Sequence, residues 1–209
     1  MHPTMIVQSI PSVARIRPMR SRERPNRPPK RRPKPLDPAR LADLALAYVA
    51  RFATSAAKLE GYLKRKLRER GWDGESDPGV EALVGRYVEL GYVDDEGYAR
   101  ARAGGMLRRG YGPRRVNQAL DAAGIAEEVR EKVRASESEE RAAALAMARK
   151  RGFGPFGPGP LDRARREKQL ATMLRAGHAL DSARELVDAA SVDAAEEWAA
   201  EPMEEGSQG

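Results

Sequence analysis

Three amphipathic stretches of this chain end in a glycine, and this repetition limits the folds the chain can adopt. The terminal glycines are Gly71, Gly124 and Gly177. The apolar residues that precede them at helical spacing are Leu63, Leu67, Val116, Leu120, Leu170, Met173 and Leu174. Glycine readily takes the left-handed conformation that ends a helix. A chain that repeats a helix-turn unit builds a surface rather than a single catalytic cleft.

A second phrase occurs twice. Arg-Arg-Gly-Tyr-Gly-Pro covers 108–113 and Lys-Arg-Gly-Phe-Gly-Pro covers 150–155. The stretch 152–157 also matches the glycine pattern of dinucleotide-binding loops, but that loop functions between a strand and a helix N-terminus. Here a predicted helix precedes it and nearby prolines remove N–H donors. We therefore interpret 152–160 as a flexible connection between helices.

The composition argues against catalytic and metal sites. The chain has no cysteine, and its two histidines, His2 and His178, are far apart in sequence, so a metal cluster is not expected. No phosphate-loop lysine or nucleophile motif is present. We predict a protein that is not an enzyme, with no catalytic residues, cofactor or metal. No apolar run is long enough to cross a membrane, and we predict a cytoplasmic monomer without membrane contact.

The helical period predicts an all-α fold of about nine helices. Three tandem three-helix units are expected to form an elongated, curved, right-angled stack. Asp77-Pro78, Asp94-Asp95 and the pair Ser182 and Glu185 are interpreted as helix starts. The predicted organisation is a disordered basic, proline-rich arm at 1–40, units at 41–93, 94–136 and 137–191, and an acidic tail at 192–209; the third unit includes the Gly/Pro-rich insertion.

The formal net charge is +7, and the excess lies in residues 1–40, which hold 11 Lys or Arg against Glu23 and Asp37. Within the predicted units, basic residues fall into three groups. The candidate partner-binding and DNA-binding residues are Lys64, Arg65, Lys66, Arg68, Arg70, Arg108, Arg109, Tyr111, Arg114, Arg115, Lys150 and Arg151. Arg163, Arg165 and Arg166 extend the third group. Two interpretations stand: solvated helix faces, or a basic stripe for an acidic partner or a phosphate backbone.

Several of these pieces together resemble the RecX family of bacterial RecA regulators. Gly91-Tyr-Val-Asp-Asp-Glu-Gly-Tyr-Ala99 is similar to that family's junction between its first two units. Arg109–Val116 resembles its central basic turn, and Leu120–Ile125 resembles the helix end that follows. The pieces occur in the family's order, and the resemblance covers roughly residues 41–190. One departure is Lys58, which stands three residues after Ser55 where the family usually has Glu or Gln.

The resemblance implies a regulator in recombination, DNA repair and the SOS response. Such a protein binds the helical RecA–DNA filament, lies in its groove and inhibits ATP hydrolysis, strand exchange or filament extension. It binds free single- and double-stranded DNA only weakly. The alternative from a different class is a helical DNA-binding protein that acts without RecA, since three-helix units also read DNA.

Overall fold

The computed structural model describes residues 34–201, which fold as α-helices with one short 3-10 turn. All of them belong to one compact unit. The helices are α1 (Pro38–Val49), α2 (Ala56–Arg70), α3 (Val80–Glu89), α4 (Asp95–Arg108), α5 (Pro113–Asp121), α6 (Glu127–Lys132), α7 (Glu137–Arg151), α8 (Arg163–Arg175), α9 (Leu180–Val187) and α10 (Val192–Ala200). The prediction of an all-α fold is confirmed. No helix within these residues is both long and apolar enough to span a bilayer.

The first three helices share one apolar core. Leu41 of α1, Leu59 and Leu63 of α2, and Val84 of α3 are buried in it. The folded part begins earlier than the predicted residue 41. The Asp37 carboxylate caps the amide of Arg40, and Pro38 occupies the first turn of α1, a strong pair of helix-start signals. The rest of the predicted arm, residues 1–33, lies outside the described residues.

The second and third cores are joined by α7. Ala143 of α7 packs in the core of α4–α6, together with Met106, Val116 and Leu120. The next residue, Ala144, packs with α8–α10 in the third core. Adjacent helical residues point about 100° apart, and alanine allows close approach on both faces. Helix α7 is therefore a shared wall between the two cores.

The third core contains a helix that the sequence analysis did not predict. Helix α10 occupies residues assigned to the acidic tail, with Ser191 capping the amide of Ala194 and Ala195 fully buried. The described residues therefore hold ten α-helices instead of about nine. The apolar signal of α10 is mostly alanine, which is weak evidence for a packed face. The acidic residues between these alanines made the segment resemble a solvated tail.

Two predicted helix starts were displaced. Helix α3 begins after Gly79, and the Asp77 carboxylate accepts from the Gly79 amide rather than capping the helix directly. Helix α9 begins after Ala179 without a side-chain cap, so the predicted capping box of Ser182 and Glu185 is wrong. At α3 the first helical residue, Val80, is buried in the first core. The cap at Asp94 is confirmed, since its carboxylate accepts from the Gly97 amide at 2.9 Å.

The Gly/Pro-rich segment is packed, so the prediction of a flexible connection there is wrong. Gly152 ends α7 in the left-handed conformation, and residues 154–156 form the 3-10 turn. The Gly154 amide donates to the buried Gln169 side chain at 2.9 Å, and a side chain at Gly154 would overlap the carbonyl of Leu186. Phe153 and Phe156 cover the third core. The glycines are needed here for close packing.

Two of the three equally spaced glycines of the repeat, Gly124 and Gly177, lie at the joints between helix groups. At Gly124, beyond the C-terminal end of α5, a side chain would overlap the Cβ of Ala57 in α2. At Gly177, beyond the end of α8, it would overlap the backbone of Arg115 in α5. The C-terminal end of α5 thus contacts the N-terminal turn of α2, and the C-terminal end of α8 contacts the N-terminal turn of α5. We call α2, α5 and α8 the middle helices of the three helix groups. Gly71 has no such neighbour, and its carbonyl accepts from the Leu36 amide at 3.0 Å.

Candidate partner-binding surface

The Arg-Gly-Tyr-Gly turn between α4 and α5 lies directly on α7. Gly110 has a φ of +84°, and a side chain there would approach the backbone of Met147 to 3.0 Å. This contact requires glycine and brings the end of α4 beside the end of α7. Arg109, Tyr111, Lys150 and Arg151 consequently line one small cavity of about 130 Å³. The two copies of the basic phrase therefore meet in space.

The same turn lines two further cavities. Arg109 and Tyr111 also border a cavity of about 340 Å³ with Arg102 and Arg115. Arg102 and Arg109 then border a third cavity of about 490 Å³, whose wall includes Tyr92. Arg109 lines all three cavities. We call this region the basic surface, and its members are Arg102, Arg109, Tyr111, Arg115, Lys150 and Arg151.

The cations of the basic surface are not neutralised from within the described residues. All five are exposed, and none forms an ion pair or a side-chain hydrogen bond with residues 34–201. Asp94 is the one carboxylate on the walls of these cavities, and its Oδ1 accepts from the Gly97 amide. Clustered cations without counter-charges create a positive potential that attracts anionic partners.

Exposed aromatic rings accompany these cations. Tyr111 is 39% exposed and Tyr92 is 56% exposed. Tyrosine and arginine are the residue types most enriched where proteins bind partners tightly. The Tyr111 amide donates to the Met106 carbonyl at 3.1 Å, which fixes the backbone and leaves the ring accessible. The turn therefore presents its ring to a partner on a rigid support.

The predicted cluster on α2 has a different electrostatic character. Lys64 pairs with Glu60 and lies 3.7 Å from Glu81, and Lys66 lies 2.6 Å from Glu69. The hydrogen bond that Lys64 donates to Glu60 raises the pKa of Lys64, and the hydrogen bond that Lys66 donates to Glu69 lowers the pKa of Glu69. Arg65 is 3.8 Å from Glu69. These contacts favour a solvated helix face for the three residues.

The remaining predicted residues do not join the basic surface. Arg68 and Arg70 lie near the end of α2, without ion pairs in the described part of the chain. Arg108 borders a separate cavity with Glu139 between α4 and α7. Arg114 borders a cleft between α5 and α6. Among the third-group residues, Arg163 pairs with Glu167, and Arg166 makes a two-pronged pair with Asp188, which lowers the pKa of that carboxyl.

The sequence did not predict Arg102 as a member of the basic surface. It also did not predict Tyr92, which lies beside that surface. Arg102 stands seven residues before Arg109 on α4, and residues seven apart share a helix face. The sequence contains this spacing, but the other arginines along α4 do not let it be distinguished as a separate face. Tyr92 follows the positive-φ Gly91, and its outward direction depends on the packing of Tyr87 beneath it, at a ring distance of 5.7 Å.

A buried histidine supports the turn from behind. His178 is 1% exposed, and its Nε2–H donates to the Gly110 carbonyl at 3.0 Å. Burial lowers the pKa of this imidazole, and the hydrogen bond to Gly110 opposes that shift only in part. The Gly112 amide donates to the Ala176 carbonyl at 2.9 Å. The turn is therefore held on both sides by the residues that end α8.

No set of three or more His, Cys, Asp or Glu side chains within residues 34–201 is arranged to hold a metal ion. The arrangement that these residues do provide is a shallow positive surface on three helices. Such a surface suits the recognition of a large anionic partner.

Comparison with protein families gives a match in the middle of the chain. A family model described as RecX, second three-helix domain, matches residues 94–133. This region contains α4, α5 and α6, and it includes Arg102, Arg109, Tyr111 and Arg115 of the basic surface.

Individual relatives extend the match over most of the chain. The regulatory protein RecX of Myxococcus xanthus is 35% identical over 167 residues, which cover 76% of this chain and 89% of that protein. The regulatory protein RecX of Thermus thermophilus is 39% identical over 101 residues, which cover 48% of this chain and 68% of that protein.

Solved structures share the fold. The crystal structure of RecX from Lactobacillus salivarius has a TM-score of 0.59 at 16% identity, and the match covers 75% of this chain and 96% of that one. A second crystal structure of regulatory protein RecX has a TM-score of 0.57 at 18% identity, covering 72% and 71%.

Proposed function

The chain belongs to the RecX family of regulatory proteins, and from this premise we propose that it binds the RecA–DNA filament and inhibits it. The inhibited steps are ATP hydrolysis, strand exchange and filament extension, in recombination, DNA repair and the SOS response. The protein acts as a binding partner and performs no chemistry of its own.

One observation carries this proposal: five exposed cations and Tyr111 converge on a single surface that no carboxylate of the described residues neutralises. The cations come from α4, α5 and α7. A protein–DNA filament presents phosphates along a helical groove, and a basic surface drawn from several helices suits such an extended anionic target.

The rival is a DNA-binding protein that acts without RecA. A single recognition helix would then gather most of the base-reading side chains, whereas the basic surface is shared between three helices. Binding to bare DNA by the rival would weaken with salt by roughly 0.9 log units per log unit of salt for each phosphate contact. The proposed function predicts inhibition of filaments at protein concentrations where bare DNA is mostly unbound.

The test uses preformed RecA filaments on single-stranded DNA. The protein is added at substoichiometric amounts, and ATP hydrolysis is followed with time. We expect a fall in the hydrolysis rate. Unchanged hydrolysis together with tight binding to bare DNA would reject the proposal and support the rival.

A further inference from the structure

Three aromatic side chains form a row across the end of α1 and the middle of α2. The rings of Tyr48 and Tyr62 stack with their centroids 4.3 Å apart, and the ring of Phe52 lies 5.3 Å from that of Tyr48 at a tilt of 49°. Tyr48 and Tyr62 pack against the first core, whereas Phe52 is 55% exposed. We call these three residues the aromatic row. It is supported by the core and open at Phe52.

The open ring stands on a fixed backbone. The Phe52 amide donates to the Tyr48 carbonyl at 3.1 Å, one turn back along the chain. An aromatic side chain has few rotatable bonds and a large flat face, so it binds a second flat group at a small entropic cost. Unpaired nucleobases have such a face, and proteins that hold single strands stack them on aromatic side chains.

Basic side chains lie on the same face of α2 as Tyr62. Residues three or four positions apart share a helix face, which places Lys58, Arg65 and Lys66 beside this ring. The Arg65 guanidinium carbon and Lys66 Nζ are 5.4 and 5.8 Å from the centre of the ring. Arg70 follows Lys66 by one further turn of α2. Four cations therefore border the aromatic row.

The acids of this face balance only half of these cations. Glu69 lies 2.6 Å from Lys66 and 3.8 Å from Arg65, so two cations share one carboxylate. Asp95, at the first turn of α2, accepts from the Ala56 amide. Four cations thus face two carboxylates. The ion pairs with Glu69 are exposed, and exposed pairs are weak enough for a phosphate to replace the carboxylate.

The other carboxylates that contact α2 serve a different cation. Glu60 and Glu81 pair with Lys64. Lys64 stands two positions after Tyr62 and so lies on the opposite side of the helix. Arg51, which directly precedes Phe52, is exposed and forms no ion pair with residues 34–201. The surroundings of the aromatic row therefore attract phosphates.

The open end of the aromatic row lies next to the basic surface. Ala53 directly follows Phe52 and lines the same cavity as Arg102 and Arg109. Tyr98 lines that cavity as well, and its hydroxyl accepts from Lys58 Nζ at 2.5 Å. Cations thus continue from α2 towards α4. A strand that stacks on the aromatic row meets basic side chains for its phosphates in this direction too.

We propose that the aromatic row is a stacking site for single-stranded DNA. An unpaired base stacks on the exposed ring of Phe52, and the phosphates beside it face the cations of α2. The bases of a duplex are already stacked on each other, so the site selects single strands. The choice of DNA as the ligand rests on the proposed function, but stacking itself requires no RecA and is tested without it.

The first experiment makes the site report on its own occupancy. Phe52→Trp keeps an aromatic face, and the fluorescence of an indole is quenched when a base stacks on it. The full-length variant is titrated with a thymine oligonucleotide and with a duplex of equal length. The parent protein, titrated in parallel, gives the signal of Trp72 and Trp198 to be subtracted. We expect quenching by the single strand and little by the duplex.

Leu46→Trp is the matched control for this titration. Leu46 is also exposed on α1, at 47%, but it stands two positions before Tyr48 and so lies on the other side of the helix. Its variant should show no quenching by either DNA. Equal quenching of the two variants, or equal quenching of the Phe52→Trp protein by single strand and duplex, would contradict a stacking site at Phe52.

The second experiment measures affinity from the anisotropy of the same DNA carrying a fluorescent label. Phe52→Leu keeps an apolar side chain and removes the ring. We expect its dissociation constant for the single strand to rise at least about fivefold, with that for the duplex unchanged. An unchanged constant for the single strand, or an equal rise for both DNAs, would overturn the proposal. Filament inhibition by the parent protein would still stand in either case, because it is measured separately.

Discussion

At the residue scale, two close contacts fix how neighbouring helix groups meet. His178 holds the carbonyl of Gly110 from inside, and Gly124 allows the second helix group to contact Ala57 of the first. Neither residue lines the cavities of the basic surface. Both act through the backbone positions that they fix.

His178 should make the stability of the protein fall in mild acid. Its pKa is lowered in the folded state, so below about pH 6.5 the unfolded chain binds a proton that the folded chain does not. Stability is therefore unaffected above that pH and declines as pH falls, by up to about 1.4 kcal/mol per pH unit for this group. Urea unfolding between pH 7.5 and 5.0 measures the decline.

His178→Gln is the matched control for this titration. Glutamine can donate to the Gly110 carbonyl but does not titrate. The variant should show a flatter pH dependence than the parent, even if its stability at pH 7.5 is somewhat lower. Parallel curves for the two proteins would show that His178 does not cause the decline.

Gly124→Ala should destabilise the protein through overlap with Ala57. The substitution also strains the backbone, since φ at Gly124 is +71°. Ala57→Gly removes the overlapping atom and leaves that strain unchanged. The loss from Gly124→Ala should thus be smaller in the Ala57→Gly background, with a coupling on the order of 0.5–3 kcal/mol in urea unfolding. Additive losses would mean that the two helix groups do not touch at this point.

At the element scale, each middle helix begins where the next group's middle helix ends. The Ser55 hydroxyl caps the Lys58 amide and also donates to the Ala123 carbonyl at 2.6 Å, just before Gly124. The Ala56 amide donates to the Asp95 carboxylate at 2.8 Å. Lys58 cannot accept from the Ser55 amide as a capping box requires, and Asp95 from the next helix group instead accepts from the neighbouring Ala56 amide in the first turn of α2. The joint between the two groups and the cap of α2 are one structure.

Asp95→Ala should therefore cost more stability than its position on a helix surface suggests. It leaves the Ala56 amide without its acceptor, and we expect a loss of about 1–2 kcal/mol in urea unfolding. Glu96→Gln is the matched control, because Glu96 is a neighbouring acid whose 2.6 Å partner, Arg100, is exposed. Its loss should be below about 0.5 kcal/mol. Equal losses of stability would mean that the Asp95 carboxylate does not stabilise the joint between the two helix groups.

The elements show which features the sequence could predict. Periodic leucines and valines identified α1–α5 because their apolar faces are distinct. Helix α10 was missed because its buried residues are alanines among acids. The candidate site was predicted only in part: the repeated basic phrase identified Arg109, Tyr111, Lys150 and Arg151, but only the packing of Gly110 on Met147 shows that they meet. The arginines on α2 look similar in sequence and differ in their acidic neighbours.

At the scale of the whole molecule, the basic arm and the basic surface should contribute differently. Residues 1–40 carry the whole excess of positive charge, and charge alone favours phosphates without selecting a protein filament. Deleting residues 1–33 should lower affinity for free DNA more than it lowers filament inhibition. Binding to labelled DNA and ATP hydrolysis, measured on the same preparations, give the comparison. An equal loss in both would make the arm part of the regulatory surface.

We propose that the basic surface binds the RecA–DNA filament. The direct test replaces Arg109, Arg115 and Arg151 with Gln and measures the concentration that halves ATP hydrolysis by preformed RecA filaments. The control replaces Arg100, Arg163 and Arg184, exposed arginines paired with nearby acids, and changes the net charge equally. We expect at least about a tenfold rise for the first variant, a loss of about 1.4 kcal/mol, and little change for the control. Equal inhibition by both variants would contradict it.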